Sequence, residues 1–179
     1  EFERLVGELD GFYSIVRATG ETVCVAVDHV RSFPLFYGST DGEVYVSNDA
    51  HWVKEQLPAT RVDPYSEFEF HLTGVVTGRN TLYPEIKQLR AGELAVVDAG
   101  TDAPTVSTSR HHRFEPRPPK EANEDELLAE LDAVLEGAFR RLVQVADGRE
   151  VVVSLSGGPD SRLLACMLRR LDYRNLSAF

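Results

Sequence analysis

The sequence predicts an α+β chain built from two unlike parts, and three observations carry that expectation. Short alternating or β-branched segments, broken by turns containing Gly, Asp and Thr, recur up to about Phe114, which is the pattern of antiparallel hairpins. The stretch Glu115-Pro116-Arg117-Pro118-Pro119-Lys120 then interrupts regular structure and marks a connector. Beyond it, apolar residues at helical spacing lead into Val151-Val152-Val153-Ser154-Leu155, a glycine turn and a second helical pattern. The expected organisation is a β-rich domain over 1–114, a linker over 115–122 and a βα domain over 123–179.

Each element has its own signal. Glu1 to Leu9 reads as a helix end that packs Phe2, Leu5 and Val6. Gly11–Arg17 and Thr22–Asp28 form a hairpin around Ala18-Thr19-Gly20-Glu21, and Leu35–Gly38 with Glu43–Ser47 form a second around Ser39-Thr40-Asp41-Gly42. Asn48 or Asp49 caps a short helix through Leu57. Asp63-Pro64 opens another, with Tyr65, Phe68 and Leu72 as its apolar positions. Gly74–Pro84 reads as loop, Glu93–Asp98 as a strand, Ala99–Pro104 as a turn and Val106–Phe114 as an extended polar segment. In the second part, Leu127, Leu128, Leu131, Val134, Leu135, Ala138, Phe139 and Leu142 mark a long helix. Asn123 is placed to cap it, and Asp125 and Glu126 suit the positive end of its dipole. Val151–Leu155 then reads as a buried strand of a parallel sheet, followed by a helix with Leu163, Leu164, Met167, Leu168 and Leu171 on one side.

Composition removes several classes of function. A net charge of −10 argues against nucleic acid as a partner. No apolar run approaches the roughly 20 residues that span a bilayer, and no basic-then-apolar leader opens the chain. The expectation is a soluble, cytoplasmic protein without membrane contact. Lysine occurs only at Lys54, Lys87 and Lys120, an acidic, lysine-poor balance that suits a high-salt cytoplasm where self-repulsion is screened. Cys24 and Cys166 match no metal or redox spacing and read as small core residues. The chain opens at Glu1 inside a helical pattern and stops at Phe179 as the apolar segment Leu176–Phe179 begins, so both ends read as cut from a longer protein.

The chemistry concentrates in Ser156-Gly157-Gly158-Pro159-Asp160-Ser161. A strand, a glycine turn and a helix place bare N–H groups and a positive helix end at one point, which binds anions and above all phosphate. Gly157 and Gly158 allow close backbone approach, and Ser156 and Ser161 add hydroxyls. A carboxylate beside a phosphate cradle repels it unless a cation intervenes, so Asp160 reads as a Mg²⁺ ligand. The Gly-Lys-Ser/Thr of a nucleotide P-loop is absent; a short cradle with an acid and no lysine suits a departing pyrophosphate. The plainer reading is a tight strand-to-helix turn with Asp160 as a helix-start residue. Two adjacent glycines, two flanking serines and an apolar strand weigh against it together.

This loop resembles the S-G-G-x-D-S loop of the N-type ATP pyrophosphatases, and Val-Ser-Leu-Ser-Gly-Gly-Pro-Asp-Ser-Arg is most similar to the asparagine synthetase family. Upstream, Gly11-Phe12-Tyr13-Ser14-Ile15-Val16 resembles that family's G-x-F-A strand, and Asp28–Tyr37 resembles its R-D-x-x-G-x-x-P-L-Y-Y segment. Ser47-Asn48-Asp49-Ala50 resembles its acidic helix start, and Thr81–Gly92 its T-L-F-x-G-I-x-x-L-x-P-G stretch. The resemblance runs along nearly the whole chain in order. It implies the later part of an N-terminal-nucleophile glutaminase-like sandwich, then the first helix, strand, loop and helix of an α/β ATP pyrophosphatase domain, incomplete here. The implied activity is ATP-dependent adenylation of an aspartate carboxylate, releasing pyrophosphate, then amidation by ammonia drawn from glutamine. The implied ligands are ATP and Mg²⁺: Leu155 lies against the nucleotide, Ser156, Gly157, Gly158 and Ser161 hold pyrophosphate, and Asp160 binds Mg²⁺. A homodimer is compatible with this resemblance.

The departures matter as well. The family's glutaminase nucleophile is an N-terminal cysteine with no counterpart here, and Cys24, mid-strand, cannot replace it, so no catalytic glutaminase residue is assigned. Val27 stands where an arginine is usual, Arg31 where a glycine is, Pro159 where a leucine is and Arg162 where a second serine is common. Two rival expectations follow. One is a relative that amidates or cyclises another carboxylate, such as a sugar acid or a peptide (as in the β-lactam synthetases), without glutaminase activity. The other is a non-catalytic scaffold or fragment, and the 179-residue chain alone is expected to be inactive. Elsewhere, His111-His112 lack ligand-spaced partners, Asp28-His29 lack a nearby nucleophile, Glu67 and Glu69 suit a solvated helix face, and Trp52, Phe68 and Phe70 read as packing groups.

Overall fold

The computed structural model describes residues 1–40, 42–100, 103–116 and 123–179, and it is mixed α+β. It divides into two compact units, with Glu1–Pro116 as the first and the described residues 123–179 forming the second. Asp41 of the second expected hairpin turn, Thr101 and Asp102 of the 99–104 turn, and residues 117–122 of the expected linker lie outside the described residues.

The first unit runs α1 (Phe2–Glu8), β1 (Ser14–Thr19), β2 (Thr22–Val27), β3 (Phe36–Thr40), β4 (Glu43–Ser47), α2 (Ala50–Gln56), α3 (Pro64–Thr73), β5 (Ile86–Gln88), β6 (Glu93–Asp98) and β7 (Thr105–Arg110). Its strands form an antiparallel sheet of order β1-β2-β6-β7 and a second of order β4-β3-β5. Strand alternation sorts the side chains into layers. In the first sheet, Val23, Val25, Val27 and Ala95 share the face that packs with Leu35, Leu89, Tyr37 and Val46 from the other sheet's side. On the opposite face, Cys24, Ala26, Leu94 and Val96 meet Phe2 and Val6 of α1. In the second sheet, Phe36, Tyr45 and Ile86 meet Val53 and Leu57 of α2. Two sheets therefore pack face to face with a helix on each outer side. Each wholly buried valine or leucine in these layers contributes roughly 1.5–3 kcal/mol.

Capping follows the expected chemistry at two helices. The Asp49 carboxylate accepts from the His51 and Trp52 amides, and the Asp63 carboxylate accepts from Ser66 N–H ahead of Pro64 at the first helical position. The face expected for α3 is corrected. Tyr65 (86% exposed), Phe68 and Leu72 are all exposed, and the buried residue of α3 is Ser66. The Asp63 cap to the Ser66 amide and hydroxyl turns that side of the helix inward. Trp52 and Phe70, expected as packing groups, are likewise partly exposed, although Trp52 meets Tyr45 edge-on at 6.2 Å. Strand β5 has no clear sequence signal, because three residues are too few to show alternation.

The second unit contains α4 (Glu124–Ala146), β8 (Val151–Val153), α5 (Pro159–Arg170) and β9 (Leu176–Ala178). Asn123 and Glu126 form a reciprocal capping box at the start of α4. β8 and β9 pair in parallel, and Phe139, Val153, Met167, Leu168 and Tyr173 form the core. Arg170 donates to both carboxylate oxygens of Asp132, at 2.6 and 2.9 Å, and ties α5 to α4. The strand expected to be wholly buried is buried on one face only. Val153 points into the core while Val152 is exposed, as are Leu155, Leu163 and Leu164. Both helices contribute to the Val153 side, and the described residues leave the Val152 side bare, whereas a parallel sheet is stable with both faces covered. Among the described residues, no helix is long and apolar enough to cross a membrane.

Candidate functional site

The glycine loop forms because β8 continues as bare backbone into a helix start. Past β8, Leu155 N–H donates to the Phe179 carbonyl at 2.8 Å, and Phe179 N–H donates to the Val153 carbonyl at 3.2 Å, so the ladder extends to Leu155. The chain then turns at Gly157, whose φ of 78° is left-handed and suits glycine. A Cβ at Gly157 would meet nothing within 4 Å, so glycine serves the backbone conformation there and the space beside the loop is open. Gly158 is the N-cap of α5 and Pro159 follows, with no side chain hydrogen-bonded to the cap. The first N–H groups of α5 are therefore left for another acceptor.

The six residues singled out from the sequence gather in this turn. The Ser156 and Ser161 hydroxyl oxygens lie 3.4 Å apart, and the Ser161 hydroxyl donates to the Gly158 carbonyl at 3.4 Å. Ser161 is otherwise buried, while Leu155 is 44% exposed and Asp160 is exposed on the first turn of α5. Arg162 is the member that the sequence did not assign. Its Nε donates to the Gly158 carbonyl at 3.3 Å, which draws a guanidinium to the loop. The available signal was position: residue 162 lies one helical turn after residue 158. Hydroxyls, a carboxylate and backbone amides form a hard, oxygen-rich set that fits Mg²⁺ and phosphate, since Mg²⁺ is held by one or two carboxylates together with phosphate oxygens and water. Among the described residues no three His, Cys, Asp or Glu side chains converge on a metal position.

The first unit holds two polar clusters with structural roles. Asp28 is 1% exposed, and its carboxylate accepts from the Tyr13, Val30 and Ser32 amides at 3.1, 2.9 and 2.9 Å. Burial pushes its pKa up, but these bonds and the Ser32 hydroxyl outweigh it and hold the group below the usual carboxylate range. Next to it, His29 stacks on His112 with centroids 3.9 Å apart and lies 5.7 Å from His111. Burial, then repulsion from His112 and His111, holds the His29 pKa below its ordinary value against the pull of Asp10 and Asp28. The His111 Nε2 lies 2.9 Å from the Val27 carbonyl, and its buried Nδ1 has no hydrogen-bond partner. His29 and His112 stack with their planes 20° apart while His111 is tilted by 40°, and among the described residues these rings form no group that could hold a metal ion.

Glu93 is the second buried charge. Its carboxylate accepts from Arg79 Nε at 2.9 Å, Arg90 Nη2 at 2.8 Å and the Arg90 amide at 2.8 Å. Burial raises its pKa, and the bonds from Arg79 and Arg90 more than reverse that, leaving it below the ordinary glutamate value. Cys24 is partly buried against the α1 layer, as expected, whereas Cys166 is exposed and corrects its reading as a core residue. Cys166 shares the outward side of α5 with Arg162 and Arg169, at i−4 and i+3 from it. Compared with known proteins, the chain matches no family model and no curated sequence.

Proposed function

We propose that the chain is part of an asparagine-synthetase-like amidotransferase that adenylates an aspartate carboxylate with ATP, releasing pyrophosphate, and then forms the amide by attack of ammonia drawn from glutamine on the acyl adenylate, releasing AMP. The observation that carries this reading is the turn from β8 into α5. An open glycine at positive φ, an uncapped helix start, two hydroxyls 3.4 Å apart and an exposed aspartate all occupy seven consecutive residues, 155–161. Ser156, Gly157, Gly158 and Ser161 hold the pyrophosphate, Asp160 holds Mg²⁺ and Leu155 lies against the nucleotide. When bound, Mg²⁺ supplies neutralisation of the leaving pyrophosphate charge. The chain itself contributes position and fixed dipoles. The two sheets with a helix on each outer side support reading the first unit as a glutaminase-like sandwich of the N-terminal-nucleophile kind.

A second reading is a relative that amidates or cyclises a different carboxylate without glutaminase activity. Val27 favours it, being wholly buried in the central core at the position where the resembled segment carries arginine. Both readings share the loop, and its role is tested by titrating the chain with pyrophosphate by ³¹P NMR. The expected result is binding that needs Mg²⁺ and weakens by about ten-fold or more in Asp160→Ala. Binding of equal strength in that variant, or without Mg²⁺, would sink the assignment.

A further inference from the structure

We infer that the pocket beside Arg31 in the first unit binds a small carboxylic acid with an apolar side chain, the carboxylate pairing with the Arg31 guanidinium. The site shares no residue with the 155–161 loop and stands independently of the function proposed above.

The pocket has a volume of about 210 Å³ and is walled by Phe36, Phe70, Val76 and Leu82, with Arg31 and Gln88 among its polar members. That volume is below the roughly 300–1,000 Å³ of drug-sized ligand sites, which limits the occupant to a small acid. Gln88 is 8% exposed, and its amide nitrogen donates to the Asn80, Val76 and Gly78 carbonyls at 2.9, 3.2 and 3.3 Å. These three acceptors saturate the NH₂ group and turn Oε1 toward Arg31, whose Nη1 donates to it. A guanidinium carries five N–H donors, and the Gln88 oxygen takes one. The two neighbouring arginines of this unit, Arg79 and Arg90, are both committed to Glu93, whereas among the described residues no carboxylate pairs with Arg31. A cation fixed at the edge of apolar walls, with no anion beside it among the described residues, fits a planar carboxylate that it can grip with two parallel N–H bonds.

The backbone adds an independent sign. Arg31 holds φ at 60°, in the left-handed region that disfavours side chains. Residues held in such conformations cluster at ligand sites. Glycine at this position relieves the backbone and removes the guanidinium together, which separates folding from binding.

The test is a ¹H–¹⁵N NMR titration of the chain with 3-phenylpropanoate and 4-methylpentanoate, with 3-phenylpropanamide and acetate as comparisons. The expected result is saturable shifts at Arg31, Phe36, Phe70, Leu82 and Gln88, with the acids binding about ten-fold or more tightly than the amide and than acetate. Arg31→Gly is expected to keep or raise Tm and to weaken acid binding by about ten-fold or more. Equal binding of the amide shows an apolar pocket only, and equal binding of acetate shows a general anion effect only. Either outcome overturns the proposal, as do undiminished binding in Arg31→Gly and the absence of saturable shifts with both acids at millimolar concentration.

Discussion

Protonation of His29 is opposed chiefly by its burial, and then by His112 stacked at 3.9 Å and His111 at 5.7 Å. Because its folded-state pKa lies below the unfolded value of about 6.5, the unfolded chain takes up the proton first as pH falls. Stability of the first unit is therefore undiminished above that value and drops as pH descends from about 6.5 toward the lower folded-state pKa. The chain's single tryptophan, Trp52, lies in this unit and reports its unfolding. The urea midpoint followed by Trp52 fluorescence is expected to fall across this window, with a smaller slope in His29→Gln. A midpoint flat from neutral pH to pH of about 5 would refute the coupling. Gly92 sits under the same cluster with φ of 65°, and an added Cβ would come within 2.3 Å of the His112 carbonyl oxygen. That explains why a glycine is needed between β5 and β6.

At the scale of elements, the Glu93 cluster ties the start of β6 to the segments before and after β5. Its carboxylate is wholly buried, so the two arginines neutralise a charge that has no access to water. Removing both, as Arg79→Ala with Arg90→Ala, is expected to cost about 3–5 kcal/mol, because it leaves a buried charge uncompensated. Glu93→Gln removes that charge and is expected to cost less. Urea unfolding followed by Trp52 fluorescence orders the two, and the reverse order would show that the arginines act through packing alone. The carboxylate's folded-state pKa lies below its unfolded value, so its contribution is complete above the usual glutamate range and is lost as pH falls through the folded value. This acid-side loss sets in only below the usual glutamate range of about 4.3, whereas the His29 loss already begins near about 6.5.

At the scale of the whole molecule, the proposed function has the loop between β8 and α5 hold one end of a nucleotide, while the acceptor needs further walls. Under that reading, turnover is expected only from a protein in which the exposed Val152 side of β8 is covered and an acceptor pocket stands beside the loop. In such a protein, ATP–pyrophosphate exchange dependent on aspartate is expected and is abolished by Asp160→Ala. Exchange that survives this substitution would remove Asp160 from the chemistry. Exchange with a different acid, and none with aspartate, would favour the second functional reading.

Much of the architecture was legible along the chain. The hairpins, the Asp49, Asp63 and Asn123 caps and the 155–161 loop all depend on neighbours within a few residues, where residue type dictates backbone conformation. Apolar stripes were legible as helices but not as buried faces. Tyr65, Phe68, Leu163 and Leu164 sit at regular helical spacing and are nevertheless exposed, because periodicity specifies a side of a helix and only a packed neighbour covers it. The roles of Arg31, Gln88 and Glu93 came from the tertiary structure alone. They join segments up to 57 residues apart, and no local pattern encodes which arginine meets a carboxylate and which is left facing a pocket. The sequence by itself determined the alternation of strands, the helix starts and the glycine turn from β8 into α5, because these are short-range. The tertiary structure decided which polar groups are satisfied and which face outward, because that depends on burial and on partners brought together by folding.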